Sequence, residues 1–284
     1  MKRALRACVG ALLALALAAC GGGAASPEVP AEPYTVVGAI GDAPVLTLVD
    51  SIPLSEPSTR TLILGGGPEV DDVALLSVSS FSGLDGKADG DLAVPALVDL
   101  TSAELDEDVM ELLAGTTQGS RIVLERAVET ERGERMEIVV IDVLPTIFTG
   151  TPVEVDFAAE NLPIIGQGED GRPTASVSEG ATEPSALRVV PLAKSDGRQV
   201  RPGDTVYAQY TVWTWDAGEV YASTWEDGAV PGPVEIDETF PGLRDGVLDQ
   251  NLGSRVLILV PPELGIGTDS LVAVVDILAI GRTE

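Results

Sequence analysis

The chain has 284 residues, which is enough for two domains of ordinary size, and its formal net charge is −28 at neutral pH. That acidity argues against nucleic acid or anionic lipid as a binding partner, because both require clusters of Lys and Arg. The chain contains no histidine, which excludes His-based catalytic triads, His general bases and nearly all zinc sites. We therefore expect neither a metal nor a cofactor.

The N-terminal segment predicts a lipoprotein signal. A basic start, MKRALR, is followed by an apolar stretch at 9–19 that is short for a permanent transmembrane helix. The residues LAAC at 17–20 resemble the bacterial lipobox, which implies cleavage before Cys20 and attachment of lipid to its thiol. A plain secretory signal with an incidental cysteine is the alternative.

The lipoprotein interpretation predicts a signal peptide at 1–19 and a flexible, lipid-anchored tether at 20–33. The mature protein would be held on the extracytoplasmic face of the cell membrane through Cys20. The other cysteine, Cys8, would leave with the signal peptide. No thiol would then remain for a disulfide, a metal or a nucleophile.

The rest of the chain repeats itself. GSRIVL at 119–124 recurs as GSRVLI at 253–258, and VIDVL at 140–144 recurs as VVDIL at 274–278, both at an offset of 134 residues. A third pair of similar segments, at an offset of 130 residues, precedes them in the same order. Three ordered matches predict a duplicated domain.

The predicted boundary lies near FTGTP at 148–152. Residues 34–149 would form the first domain and 181–284 the second. Between them, residues 150–180 are rich in Gly, Pro and acidic side chains, which predicts a linker and the approach to the second domain.

Each copy is predicted to be an antiparallel sheet with one short helix, an α+β class. In the second copy DTVYAQYTVWTW at 204–215 alternates, as a half-buried strand does. The helix-like stretch is FPGLRDGVLDQNLGSR at 240–255, because Pro241 suits a first helical position and Leu243, Val247 and Leu248 fall on one side.

The motifs of the second copy resemble those of the FKBP family of peptidyl-prolyl isomerases. The similar segments, in the family's order between residues 197 and 280, are VRPGDTVYAQYT, WDAGEVYASTW, FPGLRDGVLDQNLGSRVLILVPPELGIG and LVAVVDIL. The resemblance implies two tandem FKBP-like domains, the first of them degenerate, since Ser80 falls at the position of Tyr210. Prolyl isomerisation breaks no bond, so that a chain without histidine can catalyse it.

The resemblance assigns each position of the family's pocket to a residue of this sequence. The implied catalytic positions are Tyr210, Tyr221, Phe240, Leu243 and Ile266, and the implied substrate-binding positions are Thr239, Val234 and Ala273. Four residues depart from the family's pattern by losing a polar or aromatic group: Ala222 for aspartate, Leu243 for tryptophan, Ile266 for tyrosine and Ala273 for an aromatic residue.

These departures predict a shallower site. Ile266 cannot donate the hydrogen bond that the family's tyrosine gives to a ligand. The loop that covers the family's pocket is reduced here to residues 268–270. We therefore expect weakened activity.

The leading hypothesis is a membrane-anchored, extracytoplasmic isomerase that assists the folding of secreted or surface proteins by acting on their Xaa-Pro segments. A non-catalytic FKBP-like peptide-binding or chaperone module is the alternative, and an envelope structural lipoprotein without a client is a third. The first domain would be structural or serve in docking. Whether Trp213, Trp215 and Trp225 form an exposed recognition patch or pack on the sheet is left open by the sequence.

Overall fold

A computed structural model describes residues 32–102, 107–178, 180–216, 218–226 and 230–282. The predicted signal peptide at 1–19, the lipid attachment site Cys20 and nearly all of the tether at 20–33 lie outside these residues. Residues 33–284 form one compact unit. Within the described part of this unit, neither helix has the length and hydropathy needed to cross a membrane.

The first half of the unit is a hairpin followed by a five-stranded sheet and a short helix. The elements are β1 (Tyr34–Val37), β2 (Val45–Leu48), β3 (Ser58–Ile63), β4 (Val73–Ser82), β5 (Val94–Asp99), α1 (Glu107–Leu113), β6 (Arg121–Thr130) and β7 (Gly133–Val143). β1 and β2 pair with each other, and the sheet has the antiparallel order β3-β6-β7-β4-β5.

The second half repeats this plan with additional strands. Its elements are β8 (Thr151–Pro152), β9 (Ile164–Gln167), β10 (Pro173–Ser176), β11 (Arg188–Lys194), β12 (Asp204–Thr214), β13 (Val220–Ser223), β14 (Gly232–Glu235), α2 (Pro241–Val247), β15 (Arg255–Val260), a 3-10 turn (Pro262–Leu264) and β16 (Leu271–Arg282). β9 and β10 form a hairpin, and the main sheet has the order β13-β12-β16-β15-β11-β8, with β14 also paired to β12.

The two sheets share the order of their central strands. β3-β6-β7-β4-β5 in the first half corresponds to β11-β15-β16-β12-β14 in the second. The register corresponds as well, since Arg121 lies opposite Asp142 and Arg255 lies opposite Asp276. Antiparallel sheets with two short helices agree with the predicted α+β class.

Helix α2 lies directly on β15 because two of its residues have no side chain. A Cβ atom at Gly242 would lie 2.2 Å from Val260 Cγ1, and one at Gly246 would lie 2.6 Å from Ile258 Cδ1. Pro241 occupies the first turn, as predicted, where a missing N–H costs nothing. This close packing holds Leu243, which is buried, against the sheet.

Residues 153–178 and Ala181 cover the other face of this sheet. Leu162 is buried there, and Phe157, Ile165 and Val177 pack against the same apolar cluster on the sheet. The segment predicted as linker and approach to the second domain, 150–180, therefore contains a hairpin and part of a core. Its strands are four residues long and are separated by a turn, GEDGR at 168–172, of glycines and charged residues, which is why composition alone favoured a linker.

The tryptophans are buried in the same half. Trp213 and Trp215 are 6% and 5% exposed and belong to the covered face, and Trp225 is 3% exposed. The Trp225 carbonyl accepts a hydrogen bond from Arg172. This burial favours sheet packing over an exposed recognition patch.

A buried ion pair links each sheet to the segment that precedes it. In the first half, Arg121 Nε and Nη2 lie 2.6 and 2.7 Å from the Asp142 carboxylate oxygens. The same guanidinium donates to the carbonyl oxygens of Gly38 and Ala39, just after β1, at 3.0 and 2.9 Å. Arg121 thereby fastens the first hairpin to its sheet.

The second half has the equivalent pair. Arg255 Nε and Nη2 lie 2.5 and 2.8 Å from the Asp276 oxygens. Arg255 also donates to Gly171 O at 2.9 Å and Gln167 Oε1 at 3.0 Å, both in the second hairpin, and its guanidinium carbon lies 4.3 Å from the Phe148 ring centroid. Burial raises the pKa of Asp276, and the hydrogen bonds and charge of Arg255 oppose that shift.

Candidate functional site

A cavity of about 300 Å³ opens above the N-terminal end of α2. We call it the α2 cavity. It brings together seven of the eight side chains predicted from the sequence, which are Tyr210, Tyr221, Phe240, Leu243, Ile266, Thr239 and Val234. Five further residues line it: Val212, Ala222, Pro233, Glu235 and Glu238.

Ala273, the eighth predicted residue, lies elsewhere. It is fully buried on β16, in register with Val212 on one side and Ile258 on the other. Val212 lines the α2 cavity, whereas Ala273 packs in the core beneath it. Its small side chain therefore shapes the cavity only through its neighbours.

The walls of the α2 cavity come from three neighbouring strands. Tyr210 is half-buried on β12, where its backbone N–H donates to Thr224 Oγ1 at 2.9 Å. Tyr221 on β13 is 49% exposed and stands at the rim. Val234 on β14 is 9% exposed and pairs with Val206 of β12. Strand pairing fixes these side chains relative to one another.

The floor and the far rim come from the segments around α2 and β15. Leu243 is 5% exposed, and Phe240 caps the helix in an extended conformation beside Thr239. Ile266 follows the 3-10 turn and is 42% exposed. An aliphatic floor, an aromatic wall and an aliphatic rim make a concave, mainly apolar surface, the usual form of a small binding site.

Sequence reasoning missed Val212, Pro233, Glu235 and Glu238. Val212 could have been found, because it lies two residues from Tyr210 and so shares its face of the strand. Pro233, Glu235 and Glu238 could not, since the place of their segment beside the cavity depends on the pairing of β14 with β12. Glu235 accepts a hydrogen bond from Thr205 Oγ1 at 2.7 Å, and Glu238 is exposed.

The polar groups at the α2 cavity are hydroxyls and carboxylates. They belong to Tyr210, Tyr221, Thr239, Glu235 and Glu238. Across the described part of the chain, no group of three or more His, Cys, Asp or Glu side chains is arranged to hold a metal ion.

Comparison with known proteins identifies the segment that builds this cavity. Residues 196–275 match the model of the FKBP-type peptidyl-prolyl cis-trans isomerase family. This segment of the chain is therefore similar to the FKBP-type family. The FKBP-type segment contains β12, β13, β14, α2 and β15, and therefore every residue that lines the α2 cavity.

One similar protein is a probable FK506-binding protein of Corynebacterium glutamicum. It is 23% identical over 105 residues, which cover 34% of this chain and 88% of the relative. Among solved structures, FkpA from Escherichia coli is similar at 19% identity and a TM-score of 0.31, over 42% of this chain and 53% of that one. The three FKBP domains of wheat FKBP73 are similar at 13% identity and a TM-score of 0.32, over 80% of this chain and 95% of that one.

Proposed function

We propose that the α2 cavity catalyses cis–trans isomerisation of Xaa-Pro peptide bonds. The observation that carries this proposal is that the family match and the cavity coincide: the segment 196–275 supplies all of its lining residues. The proposed substrates are Xaa-Pro segments of secreted or surface proteins whose folding the enzyme assists.

The proposed mechanism needs no nucleophile. Amide resonance sets a barrier of about 18–20 kcal/mol to rotation about a peptide bond. A proline seated on Leu243 and Phe240 leaves bulk water, and the twisted amide, which is less polar than the planar one, loses less by that transfer. The Tyr210 hydroxyl supplies a donor on the cavity wall.

We further propose that the activity is weakened. Ile266 stands where the family has a hydrogen-bonding tyrosine, and Ala222 stands where it has an aspartate. A missing hydrogen bond in such a site costs about 1 kcal/mol, which corresponds to roughly fivefold in rate. With two such losses the site would still catalyse isomerisation, at a rate well below that of a site that keeps both groups.

The test is an exchange measurement by NMR on proline peptides, with native protein and with Tyr210→Ala. We expect the native protein to accelerate exchange and the variant to lose most of the acceleration. Val220→Ala is the matched control, because Val220 lies on β13 next to Tyr221 but is 48% exposed and does not line the cavity. No acceleration by the native protein on any Xaa-Pro sequence would refute the enzyme proposal.

The loss of polar groups at Ile266 and Ala222 favours one alternative, a non-catalytic FKBP-like module that holds proline segments as a chaperone. It predicts binding without acceleration. Titration of the same peptides, followed by their NMR shifts, distinguishes the two: binding that Tyr210→Ala abolishes, with unchanged exchange rates, supports the module.

We also propose that the two halves are tandem copies of one FKBP-like domain, and that the first is structural or serves in docking. The shared strand order and the equivalent Arg–Asp pairs support this. Strand register corrects the counterpart of Tyr210 from Ser80 to Val78, because Tyr210 pairs with Val275 and Val78 pairs with the equivalent Ile141. Isomerase activity should therefore be unaffected by Val78→Ala, assayed on the same peptide as Tyr210→Ala.

The remaining proposal is lipid anchoring on the extracytoplasmic face of the membrane through Cys20, supported by the LAAC sequence at 17–20. Growth with radiolabelled palmitate should label the native protein in the membrane fraction. Cys20→Ser should remove the label. A labelled serine variant would contradict the assignment.

A further inference from the structure

Strand β12 changes partners in the middle of the cavity wall. Along one edge it pairs with β14 as far as Ala208, and β13 takes over from Thr211. Gln209 and Tyr210 lie between these two registers, opposite neither strand. Because a buried backbone group needs a hydrogen-bond partner, the gap has to be closed by something other than the sheet ladder. It falls at the residue whose side chain lines the α2 cavity.

Thr224, the first residue after β13, closes this gap. Its backbone N–H donates to the Tyr210 carbonyl oxygen at 3.0 Å, and its Oγ1 accepts the Tyr210 N–H at 2.9 Å. The hydroxyl proton goes to Gln209 Oε1, since the Tyr210 carbonyl oxygen lies farther away at 3.3 Å. The Gln209 side chain is buried, so that the hydroxyl is held from both sides. Thr224 thus takes the place of a ladder partner for Tyr210.

The residue after Thr224 is held by a segment outside the FKBP-type segment. The Trp225 carbonyl oxygen accepts a hydrogen bond from Arg172, in the turn of the second hairpin. A Cβ atom on Gly171 would lie 3.5 Å from Trp225 Cη2, which places the buried ring against the same turn. On the other side, the Trp225 N–H donates to Ser223 Oγ at 3.2 Å. Trp225 therefore joins the hairpin to the end of β13.

The hairpin is a firm support for this contact. Arg255 Nη2 donates to the Gly171 carbonyl oxygen from within the buried ion pair with Asp276. Residues 164–176 precede the matched segment 196–275. A continuous series of hydrogen bonds and packing contacts therefore runs from the hairpin through Trp225 and Thr224 to the cavity wall.

We infer that Thr224 is a positioning residue for Tyr210, and that the second hairpin holds Thr224 in place through Trp225. The inference rests on the proposed function of the α2 cavity. There Leu243 and Phe240 seat the proline, whereas the Tyr210 hydroxyl is the donor that meets the twisted amide. A displaced Tyr210 backbone weakens that transition-state contact and leaves the seat of the substrate unchanged.

The test compares two substitutions of Thr224. Thr224→Val removes the hydroxyl and keeps the shape of the side chain, and Thr224→Ser keeps the hydroxyl. Isomerisation of a proline peptide is followed by NMR exchange over a range of peptide concentrations. We expect Thr224→Val to lower kcat on the order of tenfold and to change KM less than about twofold, because the weakened contact belongs to the transition state. Thr224→Ser should keep most of the native kcat.

Thr214→Val is the matched control. Thr214 lies on the same strand, and its Oγ1 also accepts a backbone N–H, that of Glu219 at 3.2 Å. It does not line the α2 cavity. The same change at the far end of β12 should therefore leave kcat and KM as they are in the native protein.

Two readouts separate positioning from a general loss of structure. In Thr224→Val the amide NMR resonance of Tyr210 should shift and its hydrogen should exchange faster with solvent, while the amides of α2 keep their native values. In a Tyr210→Phe background, Thr224→Val should lower kcat by less than about twofold, because the group through which it acts is already absent. A full tenfold loss in that background overturns the role of Thr224.

Arg172→Met tests the hairpin. It removes the donor to the Trp225 carbonyl oxygen, and we expect kcat to fall about threefold with a smaller shift of the Tyr210 amide. Arg188→Met is its control, because Arg188 has a similar exposure and donates to the Glu160 carbonyl oxygen at 2.9 Å, away from Trp225. The control should change neither kcat nor the amide.

The remaining outcomes separate this inference from the function on which it rests. A native kcat and an unmoved Tyr210 amide in Thr224→Val overturn the positioning role, and a serine variant as impaired as the valine variant overturns its assignment to the hydroxyl. An unmoved Tyr210 amide in Arg172→Met overturns the role of the hairpin. If the native protein does not accelerate isomerisation, the proposed function fails, and the Tyr210 amide shift then decides the positioning role by itself.

Discussion

Replacing Arg255 with methionine removes the charge that Asp276 faces and leaves that carboxylate buried. Arg255 and Asp276 side chains are 4% and 1% exposed, so water cannot substitute for the lost partner. The substitution also removes the donors to Gly171 O and Gln167 Oε1, by which the second hairpin is held to the sheet. Methionine fills a similar volume, which limits the contribution of a new cavity.

The expected cost is large. Breaking a buried ion pair by removing one partner costs about 3–5 kcal/mol. We expect a loss of about 4 kcal/mol in the free energy of unfolding at pH 7, against the 5–15 kcal/mol typical of folded proteins. For a protein of this size that corresponds to a fall in Tm on the order of 10 °C.

The cost should depend on pH. Burial raises the pKa of Asp276 in the folded protein, and without Arg255 nothing opposes that shift. The folded state of the variant then binds a proton more tightly than the unfolded state. The stability that protonated Asp276 contributes to the variant is therefore fully present below the ordinary aspartate pKa of about 4. This contribution is lost as the pH rises through the raised pKa of the folded state. The gap between native protein and variant should widen from pH 4 to pH 8.

Urea unfolding followed by tryptophan fluorescence measures both effects, since all three tryptophans lie in the second half. The matched control is Arg126→Met, which breaks the exposed pair with Glu137 and should cost less than about 1 kcal/mol. The double variant Arg255→Met/Asp276→Leu should recover most of the loss. A loss below about 1 kcal/mol for Arg255→Met, or one equally large in the double variant, would refute the reasoning.

Three further predictions test single features of the fold and the site. Gly246→Ala places a Cβ about 2.6 Å from Ile258 Cδ1 and should cost about 1–3 kcal/mol in urea unfolding, part of which Ile258→Val recovers. Ile266→Tyr should raise kcat/KM by up to about fivefold, and Ile266→Phe, which lacks the hydroxyl, should not. Burial and Glu125 raise the pKa of Tyr34, so that its contribution to stability is lost as the pH rises above about 10; Tyr34→Phe should remove that alkaline loss, and an unchanged pH profile would contradict the assignment.

The parts of the second half that the sequence predicted well are those with strong local signals. Helix α2 begins at Pro241 and buries Leu243 and Val247, as proline at the first turn and the apolar spacing indicated. The ordered motifs placed seven side chains that the structure brings around one cavity. Ala273 is the exception, because strand register alone decides that Val212 reaches the cavity while Ala273 stays in the core.

What the sequence did not predict depends on contacts between distant segments. The hairpin at 164–176 has two four-residue strands, and its stability comes from the face of Trp213 and Trp215 and from Arg255, 84 residues beyond Gly171. Nothing in its own composition indicates those partners. The sequence around Glu235 and Glu238 indicates surface charges for the same reason. Only the pairing of β14 with β12 brings this segment to the cavity.

The two halves share their scaffold and differ in their site. Each keeps a buried Arg–Asp pair that ties a hairpin to a sheet, at equivalent register. The second half is matched by the isomerase family model, and aromatic side chains there line a cavity above the helix. Prolyl isomerisation tolerates such a division because it needs a dry surface and a few contacts, not an aligned set of reactive groups.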